Sequence, residues 1–358
     1  MEQDLPAACE PAATLAGHAV TDTGARGFQG GSAAAFLAAG NPRAVLQAAA
    51  MLARQDAPAA LALVLETEGS TYVRAGAMAL FAQTVQVGWL SGGCLEPELA
   101  RRAMQADASE CIEWIDVDTR EDEALFSGSA MGCRGRLRIA LLPVRALRGV
   151  EALFEAWIDG GTTLQRSLAS NGLVQMEANG ISRAWQVPAG SPGWARGTQH
   201  WQLPLPRPPE VLMLGAGPET HALLGLLHDL GWRTSLVEHR PRWLACGDRA
   251  DARFDTLPDD VLRAGRTFDA ALVMHHSFEL DRDALEALAA TSISFVGLLG
   301  PPRRRDDLFK LLTPAQRDAL SARLRSPVGL HLGGEGAEAI ALSIAAQLQD
   351  WRANAGRT

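Results

Sequence analysis

No apolar run in this 358-residue chain approaches the roughly 18–20 residues that a membrane span requires. Basic residues are the minority, 33 Lys and Arg against 41 Asp and Glu, for a net charge of −8. A nucleic-acid partner, which selects a basic footprint, is therefore not expected, nor is an anionic membrane surface. Cysteine is sparse. Cys9, Cys94, Cys111, Cys133 and Cys246 are odd in number and widely spaced. They form neither a disulfide framework nor a CxxC metal pair, and a reducing, cytoplasmic setting is expected. The first residues carry Glu2 and Asp4 and no basic stretch followed by an apolar core, so a secretory signal is not expected either. Internal repeats are absent.

What is present is an ordinary globular composition, 47% hydrophobic and 21% charged, at a length that suits two or three domains. Residues 1–40 are rich in Ala, Gly and Thr without periodicity and are expected as a poorly ordered tail. Asn41-Pro42 is a good helix start, an N-cap followed by a residue whose φ is already set. Residues 44–54 then follow a helical period. Strands are expected over 61–65, 77–82, 85–90, 111–117 and 136–142, with a helix from Glu96 to Ala106. Short strands should turn at Asn171-Gly172 and Asn179-Gly180. Residues 188–209 hold six prolines and three glycines and are expected as a stiff linker between a domain at 41–187 and another at 210–358. Beyond residue 210, strands and helices alternate, which implies a parallel sheet with helices on both faces. The fold class is thus α/β: an N-terminal mixed domain bearing glycine–cysteine loops, and a C-terminal Rossmann-like domain.

Residues 211–223 run from an apolar strand through Gly215-Ala216-Gly217 into a helix. Gly215 permits a tight turn, and Gly217 lets backbone approach a phosphate at the helix N-terminus. Thr220 replaces the third glycine of the usual pattern. Glu238 ends the next strand, where an acid would accept a ribose hydroxyl. His275-His276 follow a later strand at the edge where open α/β sheets bind ligands. Neighbours on a strand face opposite ways, so at most one of the two is expected to face a ligand.

Two further loops carry chemistry. Residues 68–78 form a polar, glycine-bearing connection in which Ser70, Thr71 and Arg74 suit a phosphate. Ser91-Gly92-Gly93-Cys94-Leu95-Glu96 ends a strand and opens a helix. It places a thiol at a helix N-terminus, which lowers its pKa, with Glu96 and Glu98 acting in the opposite sense. A second cysteine, Cys133, sits between Gly132 and Gly135 before another strand.

Taken together and in order, these segments resemble the XdhC/CoxI family, the accessory proteins of xanthine dehydrogenase and related molybdenum hydroxylases. Gly69 to Arg74 with Gly76-Ala77-Met78, Ser91 to Cys94 with Glu96, and Gly132-Cys133 with Gly135 are similar to its N-terminal loops. Gly215-Ala216-Gly217, Gly297-Leu298-Leu299-Gly300 with Arg303 to Arg305, and Pro327 to Leu330 with Gly333 and Glu338 are similar to its C-terminal half. The resemblance implies binding of molybdenum cofactor (molybdopterin), support for its sulfuration with a cysteine desulfurase as sulfur source, and delivery to a xanthine dehydrogenase-type client. It implies a cofactor site among Ser70, Arg74, Ser91, Gly92, Gly93, Cys94, Glu96 and Cys133, with Cys94 and Cys133 handling molybdenum or sulfur. Gly215, Gly217, Glu238 and His276 would form a nucleotide site on the C-terminal domain. Arg134, His275, Ser277, Pro301, His331 and Ala339 depart from the family pattern, five of the six in the C-terminal half. Two alternatives stand beside this: an NAD(P)-dependent oxidoreductase using the Rossmann-like domain, and an interaction module that binds no small molecule. A homodimer is compatible with the sequence, and nothing in it requires one.

Overall fold

The computed structural model describes residues 13–15, 41–119, 135–194 and 197–355. The chain divides into two compact units, Met1–Arg207 and Pro208–Thr358.

The first unit is built on a six-stranded mixed sheet. Its strands are β1 (Ala13–Leu15), β2 (Ala59–Gly69), β3 (Met78–Ala82), β4 (Gln86–Val87), β5 (Glu113–Asp118) and β6 (Gly135–Pro143), in the order β1-β5-β6-β2-β3-β4. Side chains alternate along β2, and both faces are covered. Leu61, Leu63 and Leu65 pack with helix α1 (Pro42–Arg54), while Ala60, Ala62 and Val64 pack with helix α2 (Glu96–Ser109). α1 starts as its sequence suggests: Asn41 Oδ1 accepts the Ala44 N–H at 2.9 Å, with Pro42 at the first helical position. The β2–β6 ladder shifts register between Val64 and Glu66. Beyond that bulge the strands turn polar, with Arg138 paired to Glu66, and Arg136 bonded through Nε to Asp116 Oδ1 at 2.7 Å. β2 then leads into the loop at 70–77.

Helix α3 (Val150–Ile158) joins the α1 face. A four-stranded antiparallel sheet packs into the same core, made of β7 (Gln165–Ala169), β8 (Leu173–Ala178), β9 (Ile181–Gln186) and β10 (His200–Gln202).

The first unit corrects several expectations. Residues 188–207 are no free linker: β10 pairs with β7, Ile112 N–H donates to Pro188 O, and Trp201 and Leu203 are 7% exposed in the core. Prolines deprive this stretch of some ladder bonds, yet its apolar residues still find burial. The strand expected at 85–90 shrinks to Gln86–Val87, because Gly88 turns away at φ +90. Within residues 1–40, Ala13–Leu15 add a strand parallel to β5, and the remainder lies outside the described residues. Cys111, expected within the strand, precedes β5 and is disulfide-bonded.

The second unit is a six-stranded parallel sheet with the order β13-β12-β11-β14-β15-β16. Its elements in chain order are β11 (Glu210–Leu214), α4 (Thr220–Asp229), β12 (Arg233–Val237), β13 (Ala252–Phe254), α5 (Pro258–Arg263) and β14 (Ala270–Val273). They continue through α6 (Phe278–Ala289), β15 (Phe295–Leu298), α7 (Pro302–Leu311), α8 (Pro314–Ser321), β16 (Leu324–Arg325) and α9 (Ala337–Ala355). Numbered within the unit, the order is 3-2-1-4-5-6, the doubly wound arrangement with its switch point between β11 and β14. Val211 and Met213 face α4 and α9, while Leu212 and Leu214 face α5 to α8. Each such buried aliphatic side chain contributes on the order of 1.5–3 kcal/mol. Among the described residues no helix is long and apolar enough to cross a membrane.

Candidate functional site

The Ser91–Glu96 turn leaves the end of the first sheet and enters α2. Its organiser is the Glu96 carboxylate, 3% exposed. Glu96 Oε1 accepts the Leu90 N–H at 3.0 Å and the Ser91 N–H at 2.8 Å, and Oε2 accepts the Ser91 hydroxyl in a short bond. Ser91 Oγ in turn accepts the Gly93 and Leu95 N–H groups, each at 3.1 Å. Both residues were expected to bind a ligand; instead they are buried and spent on the turn itself. The physical reason is that a carboxylate in the first turn of a helix seeks unpaired N–H groups, and the nearest belong to its own loop.

What this frame presents outward is Gly92, Gly93 and Cys94. The Cys94 thiol is exposed and free. The N–H groups of Gly92 and Cys94 have no partner among the described residues. Gly93 needs its glycine for φ +107, but Gly92 does not: its φ is unexceptional, and an added Cβ would meet nothing within 4 Å. Among the described residues nothing requires a glycine at 92, and none of them fills the space above it.

A cleft runs beside Cys94. Ser70, Thr71 and Tyr72 form one wall and Ser91, Cys94 and Leu95 the other, over Thr119, Gly135 and Leu137. Its enclosed volume of about 30 Å³ admits little more than water, so a larger ligand would lie across the rim. The 70–77 loop lies directly on the start of β6, where a Cβ on Gly135 would collide with Ser70 O. Arg74 is exposed, makes no ion pair among the described residues, and lies outside the cleft lining. Cys133 lies outside the described residues.

The 70–77 loop is held from below by Arg166 on β7, 3% exposed. Its Nη2 donates to Gly76 O at 3.1 Å and its Nε to Leu203 O at 2.8 Å. Among the described residues no carboxylate pairs with it, and burial pushes its pKa down to about 10. Sequence reasoning missed both Arg166 and Tyr72. Arg166 had no signal, since its contacts join residues about 40 to 90 positions apart in sequence. Tyr72 had one, as the single tyrosine of the chain set in a polar loop.

On the second unit, Gly215 and Gly217 take the place expected of a dinucleotide turn. Gly215 has φ +90, and an added Cβ would strike His275 at 2.6 Å. The turn is closed by its own side chains. Gly215 N–H donates to Val237 O at 2.9 Å, Ala216 N–H to Glu238 Oε2 at 2.8 Å, and Gly217 N–H to Thr220 Oγ1 at 2.9 Å. Pro218 has no N–H to offer. Glu219, 2% exposed, puts a carboxylate at the start of α4, 3.2 Å from His276 Nε2. A pyrophosphate would meet that negative charge and no free amide of residues 215–217.

Glu238 is equally committed. Besides the Ala216 N–H it accepts Arg240 Nε and Arg240 N–H, each at 2.8 Å, and Arg240 Nη2 at 2.5 Å. Burial pushes its pKa up, but the Arg240 guanidinium and the two N–H groups more than offset this and hold it below the usual carboxylate range. Both of its oxygens are occupied where a ribose acceptor was expected.

The two histidines point apart. His275 is 2% exposed, with Nδ1 3.2 Å from Asp281 Oδ1, and Asp281 Oδ2 accepts Arg304 Nη2 at 2.6 Å. His276 is half-buried at φ +55 beside Gly217, and its contact with Glu219 raises its pKa. Among the described residues no group of three His, Cys, Asp or Glu could hold a metal ion.

Fold and site define a two-unit α/β protein: an exposed thiol on a glycine turn in one unit, and a doubly wound sheet whose glycine turn is internally closed in the other. Two family models match it, one described as the XdhC and CoxI family over residues 52–112 and one as the XdhC Rossmann domain over residues 211–348. The chain belongs to the XdhC and CoxI family. It is 26% identical over 309 residues to a protein of Bacillus subtilis (strain 168) described as a probable xanthine dehydrogenase subunit, covering 81% of this chain and 92% of that one. A crystal structure described as a xanthine dehydrogenase from Bacillus halodurans superposes with a TM-score of 0.70 at 26% identity, over 86% of this chain and 96% of that one.

Proposed function

We propose that this chain is an accessory protein of a xanthine dehydrogenase-type molybdenum hydroxylase, and that it holds molybdenum cofactor over the Gly92–Cys94 turn. Support for sulfuration, with a cysteine desulfurase as sulfur donor, and delivery to the client complete the proposal. One observation carries it: an exposed, unpaired thiol stands beside two unpartnered N–H groups on a turn whose open side no described residue of the chain fills.

These residues suit the group. When bound, the cofactor supplies a molybdenum centre with affinity for soft sulfur ligands, joined to a flat pterin and an anionic phosphate. The Gly92 and Cys94 amides and the Ser70 hydroxyl would donate hydrogen bonds to its anionic oxygens, and the exposed Arg74 would add a positive charge nearby. The Cys94 sulfur, exposed and free, is a soft donor. Glu96 and Ser91 act at one remove, by fixing the turn. Cys133 enters on the family resemblance alone. Membership of the XdhC and CoxI family, and relatives described by the name of xanthine dehydrogenase, support the choice of client. The closed glycine turn of the second unit speaks against a nicotinamide oxidoreductase.

The test is direct binding by the full chain, purified without oxygen. Pterin and molybdenum are counted after gel filtration for the native protein, Cys94→Ala and Cys133→Ala, with NAD and NADP as separate probes. Near-stoichiometric retention of pterin and molybdenum, reduced in Cys94→Ala, and no retention of either nicotinamide are expected. Retention of neither pterin nor molybdenum by the native chain would sink the proposal.

A further inference from the structure

Tyr72 is the only tyrosine of the chain, and its side chain stands 62% exposed on the wall of the cleft that contains Cys94. An aromatic face open to water on a cleft wall, with a polar hydroxyl at its tip, is able to stack on a flat ligand. The loop that carries it is braced. Thr71 Oγ1 donates to Val73 O at 2.7 Å, Gly76 N–H donates to Val64 O at 2.8 Å, and the buried Arg166 guanidinium holds Gly76 O at 3.1 Å. A braced loop offers its ring at little ordering cost, which is what a stacking platform requires.

The same cleft is lined by Cys94, whose thiol is free, and the amides of Gly92 and Cys94 in the adjoining turn have no partner among the described residues. Soft-metal and anion contacts therefore stand on one wall and an aromatic face on the other. The cleft itself is too narrow to swallow a ring system, so a ligand anchored at Cys94 would lie across the rim, where Tyr72 projects. We infer that Tyr72 is the stacking platform for the flat heterocycle of the ligand held at Cys94, and so a positioning residue that selects ligands carrying such a ring. This rests on the function proposed above.

Because there is one tyrosine, 3-fluorotyrosine incorporation into the full chain gives a single fluorine resonance. Addition of isolated molybdenum cofactor, without oxygen, should shift that resonance upfield in a saturable manner. Molybdate alone, which has no ring, should leave it unmoved. Tyr72→Ala should weaken cofactor binding about tenfold or more, as loss of one stacked ring does, while Tyr72→Phe should bind within about twofold of native because the ring is kept. If the native chain binds cofactor but the resonance stays still and Tyr72→Ala binds equally, the platform is refuted while the proposed function stands. If the native chain binds no cofactor, both fall.

Discussion

Replacing Glu96 by Gln separates the two parts that a carboxylate could play in the Gly92–Cys94 turn. The exchange keeps size and leaves one oxygen to accept from Leu90 and Ser91, as Oε1 now does at 3.0 and 2.8 Å. The other position becomes an NH2 group facing Ser91 Oγ. That hydroxyl has two lone pairs, both already taken by Gly93 and Leu95 N–H, and its own proton goes to Glu96. The introduced amide would thus set donor against donor in a buried place, at about 1–3 kcal/mol. Glu96→Ala removes the acceptor altogether and strands two N–H groups and a hydroxyl, at about 3–5 kcal/mol. In a unit of this size each kcal/mol shifts the midpoint by about 2–4 °C, so Glu96→Gln should melt roughly 2–12 °C below native. Thermal unfolding followed by circular dichroism reads the shift, and amide exchange over residues 88–95 reads the loosening of the turn. A Glu96→Gln protein that melts within about 1 °C of native, with unchanged exchange there, would refute this account of the turn.

Two further expectations test the fold. His276 has its pKa raised by Glu219, so the pair's contribution to stability is complete below the ordinary histidine value of about 6.5 and is lost as pH rises through the folded value. Urea midpoints of the second unit should fall over that rise. They should flatten in His276→Asn, which tolerates the same backbone conformation, and equal slopes in the two proteins would contradict the assignment. Trp201 fills the core of the first unit, packs 5.6 Å from Trp114 and donates to Glu66 at 2.6 Å. Trp201→Ala should destabilise that unit by about 3–5 kcal/mol in urea unfolding, whereas a free linker would lose almost nothing.

Local signals carry the elements well. Asn41-Pro42 starts α1, and Gly215 with its flanking strand and helix announces the doubly wound sheet. These are effects of single residues on their own backbone, which is why they are legible in sequence. Residues 188–207 mislead because proline content describes backbone freedom, while the place of the stretch is set by where Trp201 and Leu203 find burial. At the glycine turns the limit is different. Sequence marks where amides become available, at Gly92 and at Gly217, but not whether a neighbour already uses them. Thr220 and Glu238 close one turn through side-chain bonds; Glu96 reaches back from the helix and leaves the other open. Two similar motifs thereby acquire opposite characters, in part through Glu96 and Glu238, which read in sequence as ligand contacts.

The closed turn on the second unit also sets a scale for any nucleotide that visits it. A phosphate must first displace Thr220 and Glu238 from the amides and separate Glu219 from His276, so it meets only the open fraction of the population. If closure is favoured by about 3 kcal/mol, that fraction is roughly one molecule in a hundred and fifty, and an intrinsic affinity of about 1 μM becomes roughly 150 μM. Selectivity against abundant dinucleotides then needs no steric barrier: it follows from an equilibrium that the protein settles with itself.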